Sequence, residues 1–155
     1  MNELGHFDDQ GNARMVDVAG KDITARRAVA EATVTMQQST ADTLFGGQLP
    51  KGDAVAVARV AAILAAKRTA ELIPLCHPLP LDAVDVAVEE HPSGVRLEVT
   101  VRTTARTGGE MEAMTAAAIG AVTVYDMVKG VDRSAAVGGV RLLAKSGGRS
   151  GDWVR

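Results

Sequence analysis

Between Ala83 and Arg102 the side chains alternate with a period of two, and no other stretch of the chain constrains the fold as tightly. Val84, Val86 and Val88 fall on one side, with Ala83, Asp85 and Ala87 on the other. Beyond His91-Pro92-Ser93-Gly94, the residues Val95, Leu97, Val99 and Val101 alternate with Arg96, Glu98, Thr100 and Arg102. Successive side chains of a strand point to opposite faces, so the pattern predicts a β-hairpin with one buried face. A lone hairpin is marginal in water, and the buried face therefore needs an apolar cover.

Two helical segments can supply it. Asp53 is placed to cap a helix running to about Leu72, in which Arg59 is the only polar side chain between Ala54 and Ala66. Gly108-Gly109 opens a second helix, about Glu110–Gly130, where Met111, Met114, Ala118, Ala121, Tyr125 and Val128 keep a 3,4 spacing. Ala28–Met36 reads as a strand, Gln37–Gly47 as a short helix with a loop, and Val137–Lys145 as a last strand before a flexible glycine-rich stretch, 146–151. The order β, α, β, β, α, β predicts an α+β fold: a ferredoxin-like antiparallel sheet with two long helices packed on one face. A further strand is expected near Met15–Val18. Residues 1–13, rich in Gly, Asp and Asn, are expected to be a mobile segment, 14–151 a single domain and 152–155 a C-terminal tail. Both helices are more apolar than one sheet face requires, and their small residues allow backbones to approach closely. A homo-oligomer is the expected outcome.

Composition narrows the function. Aromatic residues make up 3% of the 155-residue chain, too few for a platform on which single-stranded nucleic acid could stack. A net charge of −2 gives no general attraction for a polyanion, which argues against nucleic-acid binding while leaving room for a local basic pocket. One cysteine excludes an internal disulfide and a cysteine-based metal centre within one chain. His6, His77 and His91 are isolated, so no metal site is expected. The apolar stretches are too short for a membrane span and the first ten residues are polar, so a cytoplasmic protein without membrane attachment is expected.

Several residues could carry chemistry. Three prolines stiffen Pro74-Leu75-Cys76-His77-Pro78-Leu79-Pro80 into an extended segment that presents Cys76 and His77 in a preset geometry. As a plain connector the same segment would hold a packed thiol and a satisfied imidazole. Asp126 and Lys129 lie three apart on the second helix, so an acid and an amine share one face and can divide proton transfers between them. Their alternative is a surface ion pair. Glu110 and Glu112 suit a helix's first turn, but Glu112 stands ~21 Å along the helix from Asp126, at ~1.5 Å per residue. A site using both must be long or shared by two subunits. Lys51 lies in a Pro-Lys-Gly loop before a helix N-terminus, a position suited to an anion. Residues 139–146 resemble a phosphate loop only superficially: Ala144 stands where the second glycine belongs and no helix follows.

Leu49-Pro50-Lys51-Gly52-Asp53, Ala66-Lys67-Arg68-Thr69, Ile73-Pro74-Leu75-Cys76-His77-Pro78-Leu79, Glu110-Met111-Glu112-Ala113, Tyr125-Asp126-Met127 with Lys129, and Lys145-Ser146-Gly147-Gly148 occur in this order. Together they closely resemble the molybdenum cofactor biosynthesis protein C family, the cyclic pyranopterin monophosphate synthases, over about Met15 to Gly151. The resemblance implies a lyase that converts 3',8-cyclo-7,8-dihydroguanosine 5'-triphosphate to cyclic pyranopterin monophosphate and diphosphate. It further implies a ferredoxin-like hexamer, a trimer of dimers, with the site at a subunit interface. By motif, Asp126 and Lys129 match the family's catalytic pair, and Leu75, Cys76, His77, Met111 and Glu112 match substrate-binding positions. Arg26, Lys51, Lys67 and Lys145 match basic positions resembling triphosphate ligands. No cofactor is implied, although magnesium could accompany the triphosphate. Gly109 departs from the branched residue usual there, and Val128 and Gly130 from a common Cys and Ala; no chemical group is lost. A non-catalytic, nucleotide-sensing oligomer would explain the fold equally well, but not the coexistence of Asp126-Lys129, Cys76-His77 and Glu112 with a basic set.

Overall fold

A computed structural model describes residues 6–155. The hairpin is β2 (Leu81–His91) and β3 (Gly94–Ala105), and its register pairs Val84 with Val101, Val86 with Val99 and Val88 with Leu97. The alternating valines therefore share one face. Gly94 closes the turn at φ 142°, where a Cβ would overlap the carbonyl oxygen of Val34 on the neighbouring strand. That strand, β1 (Thr24–Thr35), lies antiparallel to β3 on one side and to β4 (Ala136–Ser146) on the other. The sheet order β2-β3-β1-β4 is the expected ferredoxin-like arrangement, with one short strand added beyond β4. The residues expected as a tail form β5 (Trp153–Val154), which pairs with Lys145 and Ala144 at the sheet edge.

Among the described residues there are four helices: α1 (Gln38–Phe45), α2 (Ala54–Lys67), the short α3 (Thr69–Leu72) and α4 (Glu110–Val128). Asp53 caps α2 as expected, accepting the backbone N–H of Ala56 at 2.9 Å. The predicted helix to Leu72 is broken at Arg68, whose φ and ψ of −110° and 11° leave the helical region. Next to it, the Thr69 hydroxyl donates back to the Ala65 carbonyl at 3.0 Å. Ala28, Ala30, Ala32 and Val34 of β1 and Val95, Leu97, Val99 and Val101 of β3 form the covered sheet face, with α2 and α4 over it. Gly120 sets the distance between these helices. A Cβ there would stand 2.7 Å from Leu97 and 3.3 Å from the Ala62 methyl, so the helices meet through Ala58, Ala62 and Gly120.

The buried arc of α4 differs from the predicted stripe. Ala113, Ala116, Ala117, Gly120, Ala121, Val124 and Val128 are buried, whereas Met111 is exposed and Met114 and Tyr125 lie at the margin. This helix packs on the sheet and on α2 at once, so its covered arc is broad and small residues occupy the centre. Among the described residues α4 is the one helix long and apolar enough to cross a membrane, and half of it is buried as a core helix. Val57, Val60 and Leu64 of α2 and Ile119 and Val122 of α4 remain exposed.

No strand forms at Met15–Val18; Val16 and Val18 instead line a cleft opposite Leu75 and Leu79. Residues 1–5 of the expected mobile segment lie outside the described residues. Within 6–14, Phe7 bridges Ala13 and the Asp8 carboxylate accepts the N–H groups of Gln10 and Asn12 at 2.9 and 2.8 Å. After α4, the buried Asp132 carboxylate accepts the Gln37 N–H at 2.9 Å and the Thr40 hydroxyl at 3.2 Å. It thereby caps the start of α1 from a remote part of the chain.

Candidate active site

The two ends of α4 carry two different constellations. At its N-terminal end the Leu75-Cys76-His77 segment, stiffened by its prolines, comes against Met111 and Glu112 around a cavity of about 270 Å³. Leu79, His6 and Lys21 also line it. Glu112 is only 4% exposed. Burial and the neighbouring Glu110 charge push its carboxyl up to about 7, so it titrates within the neutral range. Burial, with the Glu112 charge second, also raises the Cys76 thiol. Cys76 is thus an uncharged contact at neutral pH rather than a thiolate nucleophile.

A second cavity, about 520 Å³, adjoins the first and shares Lys21, Thr107, Gly108 and Glu110 with it. Arg26, Arg106, Lys145 and Arg149 give it an excess of positive charge. The Arg26 guanidinium is fixed by donating from Nε and Nη2 to the carbonyls of Ala105 and Arg106, both at 3.1 Å. Gly148 crosses directly above it at φ 77°, where any Cβ would collide with Nη1. Lys145 Nζ donates to Ser150 Oγ at 3.1 Å and lies 3.2 Å from Glu110 Oε1. A recess of mixed apolar and polar lining therefore continues into a basic recess, a shape and charge suited to a heterocycle bearing phosphates.

At the opposite end of α4, Asp126 sits between two ammonium groups. Lys129 Nζ is 2.7 Å from Oδ1 and Lys51 Nζ is 2.9 Å from Oδ2. Lys51 also donates to the Asp126 main-chain carbonyl at 2.7 Å, placing a cation at the negative end of the helix dipole. Its loop reaches that point because it precedes α2, which runs against α4 in the opposite direction. Hydrogen bonds from Lys129 and then Lys51 hold the Asp126 carboxyl below its ordinary range, and the bond that Lys129 donates to Asp126 raises Lys129. The resting pair is a carboxylate and an ammonium.

The expected residues thus fall into separate groups. Leu75, Cys76, His77, Met111 and Glu112 line one cavity, Arg26 and Lys145 the next, and Lys51, Asp126 and Lys129 cluster at the far end of the same helix. Lys67 ends α2 in solvent, outside both cavities. Sequence reasoning missed Lys21 and Arg106. Lys21 follows Gly20 and Arg106 lies two residues before Gly108, which was the available sign of a loop at a site.

Fold and site together define a ferredoxin-like α+β enzyme with a basic recess suited to a small anionic substrate and a lysine–carboxylate cluster at the far end of α4. Residues 15–148 match the MoaC family, and the chain belongs to that family. It is 56% identical over 153 residues to the cyclic pyranopterin monophosphate synthase of Corynebacterium efficiens, covering 99% of each chain. The proteins of the same name from Chloroflexus aggregans and Roseiflexus sp. are 55% and 53% identical to it. The match covers 100% of this chain and 95% of the first relative, and 99% of both chains for the second.

Proposed function

We propose that the chain is a cyclic pyranopterin monophosphate synthase of molybdenum cofactor biosynthesis, a phosphorus–oxygen lyase. It takes 3',8-cyclo-7,8-dihydroguanosine 5'-triphosphate to cyclic pyranopterin monophosphate and diphosphate. The observation that carries this reading is the pairing of a recess for a heterocycle with a basic recess, in a chain that also holds the Lys51–Asp126–Lys129 cluster. Lys129 enters as a proton donor and Asp126 as an acceptor while the imidazole ring of the guanine opens and the pyrazine ring closes. A ribose hydroxyl then attacks the α-phosphorus, and diphosphate departs toward Arg26 and Lys145, whose charge stabilises it. Any magnesium arrives with the triphosphate as part of the substrate.

The ~21 Å between Glu112 and Asp126 forbids one substrate from touching both within a chain. Kinship with the family implies a cytoplasmic homo-oligomer, a hexamer built as a trimer of dimers, and in it one subunit's Asp126 end meets another's Glu112 end. The exposed valines and leucine of α2 and α4 provide apolar surface for that assembly. Lys67, solvated in the single chain, is supplied to the triphosphate in the same way.

Asp126→Ala and Lys129→Ala should each lower diphosphate release by at least ~100-fold, with the oligomer intact by light scattering. Near wild-type release from either variant would remove that residue from the mechanism. A nucleotide-sensing oligomer would bind the cyclised triphosphate and release no diphosphate.

A further inference from the structure

Two acids, Asp22 and Glu110, line the basic cavity, and Glu110 is ion-paired with one of its cations. Glu110 is the first residue of α4, where a first-turn acid would ordinarily extend into solvent along the helix start. Here its carboxylate folds back over Gly108, where a Cβ would collide with Oε2, and reaches Lys145 at 3.2 Å. Both side chains are about one-third exposed or less, so the pair sits inside the cavity rather than on its rim. Lys145 is also held from the other side by Ser150. A phosphoryl group entering the cavity meets an ammonium already partnered by a carboxylate.

We propose that Glu110 is a resident counter-ion of the basic cavity, a positioning residue that acts through Lys145 and limits how tightly phosphoryl groups are held. This rests on the reading of that cavity as the phosphate site. An incoming triphosphate displaces the carboxylate from Lys145, at a cost the rest of the substrate offsets through its contacts in the adjoining recess. Free diphosphate lacks those contacts, so the returning Glu110 carboxylate competes with it and favours its release. The arrangement separates substrate, which has two anchors, from product diphosphate, which has one.

The test is the affinity of the full-length protein for inorganic diphosphate, measured by calorimetry, together with kcat and KM on the cyclised triphosphate. Glu110→Gln should bind diphosphate about threefold or more tightly than wild type, with a steeper salt dependence, because one cation is freed. Its KM should fall, and its kcat should fall with it as product release slows. Glu110→Asp keeps a charge in the first turn of α4 but withdraws it from Lys145, and should lie between the two. A contribution through the helix dipole alone would change thermal stability and leave diphosphate affinity unmoved. Unchanged or weaker diphosphate binding in Glu110→Gln, alongside wild-type binding that Lys145→Ala abolishes, would overturn the counter-ion role and leave the phosphate site standing. If wild type bound no diphosphate and Lys145→Ala left turnover of the triphosphate unchanged, the phosphate site would fall, and the counter-ion with it.

Discussion

Glu112 shows how far burial alone can change a residue. In sequence it is a first-turn acid like its neighbour Glu110, yet it is buried beside Cys76 and its carboxyl is pushed up to about 7. Its folded pKa lies above its unfolded value of 4.5, so the folded chain keeps a proton that the unfolded chain has lost. That contribution to stability is complete below the unfolded value and is lost as pH rises through about 7. Glu112→Gln removes the titration while keeping nearly the same shape. Its melting temperature relative to wild type should therefore rise between pH 5 and pH 8, and a difference independent of pH would show that Glu112 is solvated as a carboxylate. Asp126 is the opposite case: two ammonium groups keep it ionised well into acid, so it is a charged acceptor at every physiological pH. The 3-residue spacing from Lys129 was visible in sequence, whereas Lys51 joins the pair only because the chain folds back.

At the scale of elements, the antiparallel packing of α2 on α4 decides the site. It brings the loop before α2 to the end of α4 and keeps the Cys76 segment at the start of α4. Contact between the helices depends on Gly120, whose missing side chain admits Leu97 and the Ala62 methyl. Gly120→Val would overpack this contact and cost about 1–3 kcal/mol. Thermal unfolding should drop by several degrees, at ~2–4 °C per kcal/mol for a chain of this size. An unchanged melting temperature would mean that the helices can separate freely. The hairpin and its valine face were legible, because period-2 alternation reports a strand's two faces directly, while its strands run further at both ends than the alternation showed. The α4 stripe was read off-centre: a helix covered by a sheet and another helix buries a wide arc, and hydrophobic size is a poor guide to its centre when the closest contacts belong to Ala and Gly.

The whole molecule presents two residue clusters at opposite ends of one helix and an exposed apolar surface on α2 and α4. If two subunits complete each site, inactive variants should rescue each other. Asp126→Ala and Lys145→Ala, mixed, dissociated and reassembled, place both lesions in one site of a mixed pair and neither in the other. About a quarter of wild-type activity should return at equal mixing. No recovery, with mixed oligomers demonstrated, would place each complete site within one subunit. A charge placed in the exposed surface, as in Val60→Asp with Leu64→Asp, should shift the protein toward smaller species and remove activity with them.

By itself the sequence determined the α+β class, the hairpin, the helix starts at Asp53 and Gly109, and the residues that carry charge or a thiol. Periodicity, capping and composition are local, and each is written in neighbouring residues. Only the tertiary structure decided which of those residues meet. It joined Lys51 to Asp126 across 75 positions, buried Glu112 while leaving Glu110 to reach Lys145, and turned a supposed tail into an edge strand. Contacts of that kind depend on the direction in which α2 crosses α4 and on how closely small residues let them approach, and neither is encoded in any single stretch of chain.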